Sequence, residues 1–183
     1  MKPDGAAGGR VLETERLVLR RLTVEDAPFM LRLLNEPSWL RFIGDRGVRT
    51  LEDARRYVLE GPVDMYERLG FGLYATALKE DDSNPIGICG LVKRAGLDDV
   101  DIGFALLPEY WKKGYAYEAA AAVMTYAKGA VGLTRIVAIT SVDNESSSRL
   151  LEKIGLKFES LIRLKEDGEE VRLFAWEGST LKS

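Results

Sequence analysis

The sequence contains no histidine and a single cysteine, Cys89. Without an imidazole, neither a Ser-His-Asp nor a Cys-His nucleophilic site can be built, and histidine-ligated zinc is excluded. Acid–base chemistry therefore falls to carboxylates, Tyr, Lys, Ser or water. One cysteine excludes an intrachain disulfide and fits a reducing compartment, so we expect a cytoplasmic protein with no bound metal.

Long apolar runs and a large net charge are also lacking. Runs such as Phe104–Leu107 are far shorter than the ~20 residues of a membrane-spanning helix. The net charge is −3, so bulk electrostatics would not attract nucleic acid. Residues 1–10 are Gly- and Ala-rich without an apolar segment, and we interpret them as a disordered tail, not a signal peptide. Residues 11–183 are enough for one domain with a hydrophobic core.

Hydrophobic periodicity predicts both strands and helices. The predicted strands are Arg16–Leu22, Phe71–Leu78, Ile86–Lys93, Val100–Leu107, Arg135–Thr140, Phe158–Lys165 and Val171–Trp176. The predicted helices follow Thr23 and Thr50 and cover Tyr115–Lys128 and Glu145–Ile154, with Gly61-Pro62 interrupting the second. We expect loops or turns at Asn35–Gly47, Asp81–Pro85 and Ala95–Asp99. This order predicts an α+β fold with a mixed central sheet of about seven strands and helices on both faces.

The segment Leu107–Ala116 has the features of an anion site. It leaves a predicted strand, passes Gly114 and runs directly into the predicted helix Tyr115–Lys128. Unpaired N–H groups at the start of a helix, together with the positive end of its dipole, favour a pyrophosphate. Gly114 allows the backbone to approach a ligand closely, and Lys112 and Lys113 add positive charge. The same residues would also suit an ordinary strand-to-helix connection with two solvated lysines.

Three segments resemble the RimJ/RimL-like branch of the GNAT superfamily of N-acetyltransferases. Trp111–Ala116 resembles the family's acetyl-CoA pyrophosphate loop, Gln/Arg-x-x-Gly-x-Gly/Ala: the glycine and the final alanine match, and the tryptophan stands where Gln or Arg is usual. Asn144–Leu156 resembles the N-x-x-S-x-x-L-x-E-K-x-G-F segment of the branch, and Leu12–Arg20 resembles its T-E-R-L-x-L-R start. In this order the segments identify the chain as a member of the family over roughly residues 12–176.

The resemblance implies a GNAT fold in which acetyl-CoA binds between two parallel strands. In that fold the strand before the loop carries a bulge and splays from its neighbour; here these strands are Val100–Leu107 and Arg135–Thr140. The main-chain N–H of Leu106 maps to the group that polarises the thioester carbonyl, where it would stabilise the oxyanion. The residues expected to contact the cofactor are Phe104, Leu106, Leu107, Trp111, Lys112, Lys113, Gly114, Tyr115, Ala116, Asn144 and Ser147.

Asn144 and Ser147 stand at the start of the predicted helix Glu145–Ile154. Asn144 is a good N-cap on its own, and the resemblance adds a contact of its side chain with the pantetheine arm or the incoming amine. Ser147 matches a serine that lies near the thioester sulfur in the branch, so its hydroxyl could protonate the departing thiolate. A serine in the first turn of a helix is also commonplace. Leu151 stands where other members have a tyrosine general acid, which argues against a tyrosine donor from this helix.

A general base is sought among the carboxylates, because an alkylammonium must lose a proton before it attacks. Asp101 lies close to where many family members have a carboxylate, and it could act through a water molecule. With Asp98 and Asp99 it also forms a charged cluster near a turn, which is typical of a solvated strand end. Glu118 resembles a recurring residue of the branch, and we interpret it as support for the helix dipole.

The loop Asn35–Gly47 closes over the incoming amine in the family, and here it holds the aromatic residues Trp39 and Phe42. These side chains either fill the core or line an acceptor pocket. If they line the pocket, Arg41 and Arg46 beside them favour an acidic acceptor, such as a peptide with carboxylates after its first residue.

The partners implied by the resemblance are acetyl-CoA and a primary amine that attacks the thioester directly. The amine is a protein N-terminal α-amine, as for RimJ and RimL, or a small molecule, and a homodimer is among the expected assemblies. Two alternatives stay open. A sensor module that binds acetyl-CoA without catalysis would keep the loop and lose the acceptor pocket. A purely structural domain would leave the three motifs unexplained.

Overall fold

The computed structural model describes residues 8–179, whose strands form one eight-stranded sheet. The strands are β1 (Arg10–Glu13), β2 (Leu17–Arg21), β3 (Leu73–Leu78), β4 (Asp81–Val92), β5 (Asp101–Leu106), β6 (Arg135–Ser141), β7 (Lys157–Arg163) and β8 (Glu170–Glu177). The α-helices are α1 (Ala27–Leu34), α2 (Pro37–Phe42), α3 (Leu51–Val58), α4 (Asp64–Leu69), α5 (Tyr115–Lys128) and α6 (Glu145–Lys153). Short 3-10 turns cover Val24–Asp26 and Pro108–Tyr110.

The strand order across the sheet is β1-β2-β3-β4-β5-β6-β8-β7. Every neighbouring pair is antiparallel except β5 and β6, which are parallel. The predicted mixed α+β sheet is therefore confirmed, with one more strand than expected. The additional strand, β1, begins at Arg10, the last residue of the predicted tail, while residues 1–7 of that tail lie outside the described residues.

Helices pack on both faces of the sheet and bury two hydrophobic clusters. One cluster joins α5 and α6 to the sheet and includes Val123, Leu151 and Phe174. The other joins α1, α2 and α3 to the opposite face and includes Met30, Trp39 and Ala54. Between residues 8 and 179, no helix is both long and apolar enough to cross a membrane.

Two local predictions are wrong, those of a loop at Pro37 and of a turn at Asp81–Pro85, and one predicted interruption of a helix is confirmed. Pro37 occupies the first turn of α2, where its missing N–H costs nothing, so it starts a helix inside the predicted loop. The predicted interruption at Gly61-Pro62 takes the form of a π-helical turn over Leu59–Val63, which lies between α3 and α4. The predicted turn at Asp81–Pro85 is the beginning of β4, and register shifts against β3 accommodate the irregular pairing.

Candidate active site

The parallel strands β5 and β6 pair at one end only. Asp101 lies opposite Val137, and the Val137 N–H donates to the Val100 carbonyl at 3.0 Å. Beyond that single pair the strands diverge, whereas on its other side β5 stays paired with β4 along its full length. The expected splay is therefore present, and it leaves an opening between the strands that widens toward Leu106 and the end of β6.

The expected bulge in β5 is absent. The register with β4 runs without interruption from Val92 opposite Asp101 to Gly87 opposite Leu106. Because β5 pairs regularly with β4 along its whole length, it diverges from β6 as a complete strand, without an extra residue.

The regular register fixes which backbone groups of β5 face the opening. The N–H of Leu107 donates to the Ile86 carbonyl at 2.9 Å, so Leu107 belongs to the hydrogen-bonded pairs of the β4–β5 ladder. Since these pairs alternate along an antiparallel ladder, the N–H groups of Phe104 and Leu106 point away from β4 and toward the opening. The carbonyl of Leu106 accepts a hydrogen bond from the Trp111 indole at 2.9 Å, whereas the Leu106 N–H has no partner among residues 8–179.

The loop after β5 adopts an unusual backbone conformation just before α5. Gly114 has φ of +82°, and Lys112 has φ of +60°, which is uncommon for a residue with a side chain. Gly114 caps α5, a helix of 14 residues, so the first N–H groups of the helix have no partner within it. Lys112 and Lys113 are exposed beside them. The loop therefore presents backbone donors, a helix dipole and two cations to one region of space.

Sequence reasoning missed the role of Arg16 at this loop. Its guanidinium donates to the Lys113 carbonyl at 2.9 Å and to Glu118 at 2.7 Å. Glu118 was interpreted only as dipole support, but it also accepts hydrogen bonds from the Thr14 hydroxyl and the Arg16 N–H. Burial works to raise the pKa of Glu118, but these donors outweigh it and hold the pKa below its ordinary value. The Thr-Glu-Arg motif was the available signal, although its contact with the loop is visible only in three dimensions.

The start of α6 lies at the end of β6, on the other side of the opening. Asn144 caps the helix, since its side-chain oxygen accepts from the Ser147 N–H at 3.1 Å. Ser147 shares a helix face with Leu150 and Leu151, which pack into the core, and its own side chain is half-buried. Leu151 is 1% exposed, so this helix position contributes packing and has no group that could donate a proton.

Asp101 is not a solvated strand end. Its side chain is 1% exposed and lies on the sheet face that carries α1 to α3. One carboxylate oxygen accepts from the Arg94 guanidinium at 3.1 Å, and the other has no partner among the described residues. Burial raises the pKa of Asp101, and the Arg94 charge offsets only part of this rise. Asp101 and Leu106 are five positions apart on β5. At a rise of about 3.3 Å per residue their Cα atoms are about 16 Å apart, so the structure does not bring these two residues together.

The two aromatic residues expected at the acceptor pocket, Trp39 and Phe42, differ in their burial. Trp39 is 5% exposed, packs in the same cluster as α1 and donates from its indole to the Gly44 carbonyl, so of the two alternatives the structure favours the core over the pocket. The cause is that its segment folds as helix α2, whose inner face is buried. Phe42 stays partly exposed, with the Arg41 guanidinium 4.7 Å from its ring. Arg41 also pairs with Asp143 at 3.2 Å, which connects α2 to the segment between β6 and α6.

Comparison with known proteins agrees with this geometry. Residues 16–157 match the acetyltransferase (GNAT) domain. The uncharacterized N-acetyltransferase YoaA of Bacillus subtilis (strain 168) is 31% identical over 156 residues, which cover 84% of this chain and 86% of that protein. A GNAT-family acetyltransferase from Bacillus anthracis superposes with a TM-score of 0.73 at 26% identity, covering 91% of this chain and 97% of the other.

A structure of RimL, a ribosomal L7/L12 alpha-N-protein acetyltransferase, in complex with coenzyme A superposes with a TM-score of 0.77. Its sequence is 18% identical, and the match covers 93% of this chain and 98% of that one. The likeness to RimL shows a shared fold, while the domain match and the YoaA relative show the family. The chain therefore belongs to the GNAT acetyltransferase family.

Proposed function

We propose that the protein transfers an acetyl group to a primary amine that attacks the thioester directly between β5 and β6. The observation that carries the proposal is the opening between these strands, with the Leu106 N–H directed into it. The loop at Gly114 lies where β5 leads into α5 and would hold the CoA pyrophosphate. The pantetheine arm would then run from the loop into the opening, with the thioester beside Leu106.

Each step of the transfer has a proposed group. The neutral amine attacks the thioester carbon, and the negative charge that develops on the carbonyl oxygen is stabilised by the Leu106 N–H. Collapse of this intermediate breaks the C–S bond, and the thiolate takes a proton from the Ser147 hydroxyl. The proton that leaves the amine nitrogen returns to the serine through water, so the products are an N-acetyl amine and the free thiol.

Asp101 is the proposed acceptor of the ammonium proton that must be lost before attack. Burial raises its pKa, which brings the carboxyl closer to the working range of a base, and it lies on the sheet face that carries α1 to α3. The separation of about 16 Å from Leu106 requires a relay of several water molecules instead of the single water expected from sequence.

We further propose that the acceptor carries an acidic group. Arg94 pairs with the buried Asp101 at 3.1 Å. Burial raises the pKa of Tyr57, and the charges of Arg46 and Arg94 work against this rise, so both cations are near its hydroxyl. Both a protein N-terminus followed by carboxylates and a small anionic amine fit this charge. The RimL structure supports the first of these classes by its fold and its described activity.

The experiment has two stages. Isothermal titration measures acetyl-CoA binding, and thiol release is then followed over matched amines: short peptides and small amines, each with a free carboxylate and as the neutral amide. We expect release above background hydrolysis, with the anionic member of a pair favoured. Tight acetyl-CoA binding with no release over the whole panel would contradict the proposed transfer.

A further inference from the structure

Arg16 lies immediately before β2, nearly 100 positions from the loop that precedes α5, yet it contacts both sides of Gly114. Its Nη1 donates to the Lys113 carbonyl at 2.9 Å. Its guanidinium carbon lies 4.5 Å from the centre of the Tyr115 ring, in cation–π geometry. Since Lys113 and Tyr115 flank Gly114, one planar group holds the loop on either side of its glycine.

Glu118 fixes the position of this guanidinium. One of its oxygens accepts from Arg16 Nε at 2.7 Å, and the other accepts from the Arg16 N–H at 2.8 Å and from the Thr14 hydroxyl at 2.6 Å. Glu118 stands in the first turn of α5, so it connects the helix that follows the loop to the segment that supplies the arginine. The Glu118 side chain is shielded, with 17% of it exposed, which favours a defined geometry over a loose surface pair.

The remaining guanidinium nitrogen, Nη2, has no partner among residues 8–179. It lies 3.2 Å from the position that a Cβ would occupy at Gly114. The free N–H groups at the start of α5 are at the same place, so the arginine adds a charged donor to a group of backbone donors. A guanidinium held in this way suits phosphate oxygens, because its planar set of donors matches them in geometry and charge.

We propose that Arg16 is a CoA-binding residue that holds the loop around Gly114 and donates from Nη2 to the pyrophosphate, with Glu118 as the positioning residue that aims it. This inference rests on the proposed placement of the pyrophosphate at the loop. It adds a cation from a distant part of the chain to a site that the sequence attributes to backbone groups and to Lys112 and Lys113.

The test compares two acyl donors, of which only acetyl-CoA has the 3′-phospho-ADP part that contains the pyrophosphate. Acetyl-CoA contains the pyrophosphate, whereas S-acetyl-pantetheine has the same thioester and pantetheine arm without it. We expect Arg16→Ala to raise the KM for acetyl-CoA about tenfold or more, since one charge-assisted phosphate contact and the loop support are lost together. The KM for S-acetyl-pantetheine should stay within about twofold of the wild-type value, because this donor makes no contact with the loop.

Further variants separate charge from geometry. Arg16→Lys keeps the charge but cannot reach Lys113 and Glu118 at once, so it should recover only part of the loss. Glu118→Gln leaves Arg16 charged but loosens its anchor, and it should raise the KM for acetyl-CoA with the same donor selectivity. Arg10→Ala is the matched control. Arg10 lies on β1, pairs with Glu13 and Asp82, and has no ion pair with the loop.

Two outcomes would overturn the inference. One is an equal loss with both donors, which indicates a general structural role; the other is an unchanged KM for acetyl-CoA in a folded Arg16→Ala protein. If no amine is acetylated even by the wild type, calorimetric titration with CoA and with 3′-phospho-ADP still measures the effect of Arg16. A failure of the proposed transfer is thereby distinguished from a failure of this inference.

Discussion

Gly87 on β4 lies directly opposite Leu106 on β5, and the contact between them depends on the absence of a side chain at Gly87. A Cβ at this position would lie 2.3 Å from Leu106 Cδ2 and 2.4 Å from the Ala105 carbonyl oxygen. The N–H that we propose for oxyanion stabilisation is therefore positioned in part by a glycine on the neighbouring strand.

Gly87→Ala should lower kcat about tenfold or more, because the added methyl group pushes β5 and shifts the Leu106 N–H from the developing oxyanion. Acetyl-CoA affinity, measured by titration, should change less, since the loop at Gly114 is untouched. Gly103→Ala is the control in the same strand pair, because its Cβ would meet Leu73 at an ordinary 3.6 Å. An unchanged kcat in folded Gly87→Ala protein would remove Leu106 from the proposed role.

Gly114→Asp should abolish most acetyl-CoA binding. The residue has φ of +82°, which strains any side chain, and a carboxylate here would repel the pyrophosphate and compete for Arg16. Gly132→Asp is the matched control: it has φ of +78°, has open space around it and lies beyond the other end of α5. Calorimetric titration of both variants checks the expectation, and equal affinities would exclude the loop from the ligand site.

Ser147→Ala should lower kcat while leaving the KM for acetyl-CoA nearly unchanged. A proton donor to the leaving thiolate acts mainly in the transition state, so its loss affects turnover more than binding. Ser146→Ala is the control, because Ser146 is the exposed neighbour in the same helical turn. A change confined to KM would make Ser147 a binding residue.

Asp101→Asn should change how stability depends on pH. Because burial raises the pKa of Asp101 in the folded protein, its contribution to native stability is fully present below its ordinary pKa of 3.8 and is lost as pH rises through the folded pKa. The asparagine variant has no such titration. The Tm of the wild type relative to Asp101→Asn should therefore fall as the pH is raised above about 4 in thermal melts. A Tm difference that is constant with pH would contradict this.

Trp39→Ala should reduce the free energy of unfolding by about 3–5 kcal/mol, the range for truncating a buried aromatic residue. Amine preference should not change, because Trp39 packs in the core and its indole bonds to Gly44. Phe42→Ala, at the partly exposed end of the same helix, should cost less. Altered amine preference with an intact melting temperature would return Trp39 to the acceptor pocket.

Most of the fold could be predicted from local sequence pattern. The alanine-rich helix α5 was predicted with its observed bounds, because apolar spacing and its flanking glycines define it without tertiary help. Strands β6 and β8 were also close to their observed bounds. The helix at Pro37 was missed because a proline that starts a helix and one that ends a helix look alike without the following contacts.

The family was recognised from short motifs, and the loop around Gly114 was predicted to bind acetyl-CoA, since the chemistry of such a loop lies in a few consecutive residues. The acceptor, the cytoplasmic location and a homodimer stay predictions, because no local pattern encodes them. The burial of Asp101 and Trp39 was also beyond sequence. Both depend on which elements cover a side chain, and that is decided by contacts between distant parts of the chain.

The sequence by itself determined most of the elements, their order and the glycine-containing loop that leads into α5, because periodicity, caps and glycine positions act over a few residues. Only the tertiary structure decided that the Leu106 N–H faces the opening, since this depends on the register of β5 with β4. It alone decided that Arg16 and Glu118 meet at Gly114, because β2 and α5 are brought together by packing of the sheet against the helix.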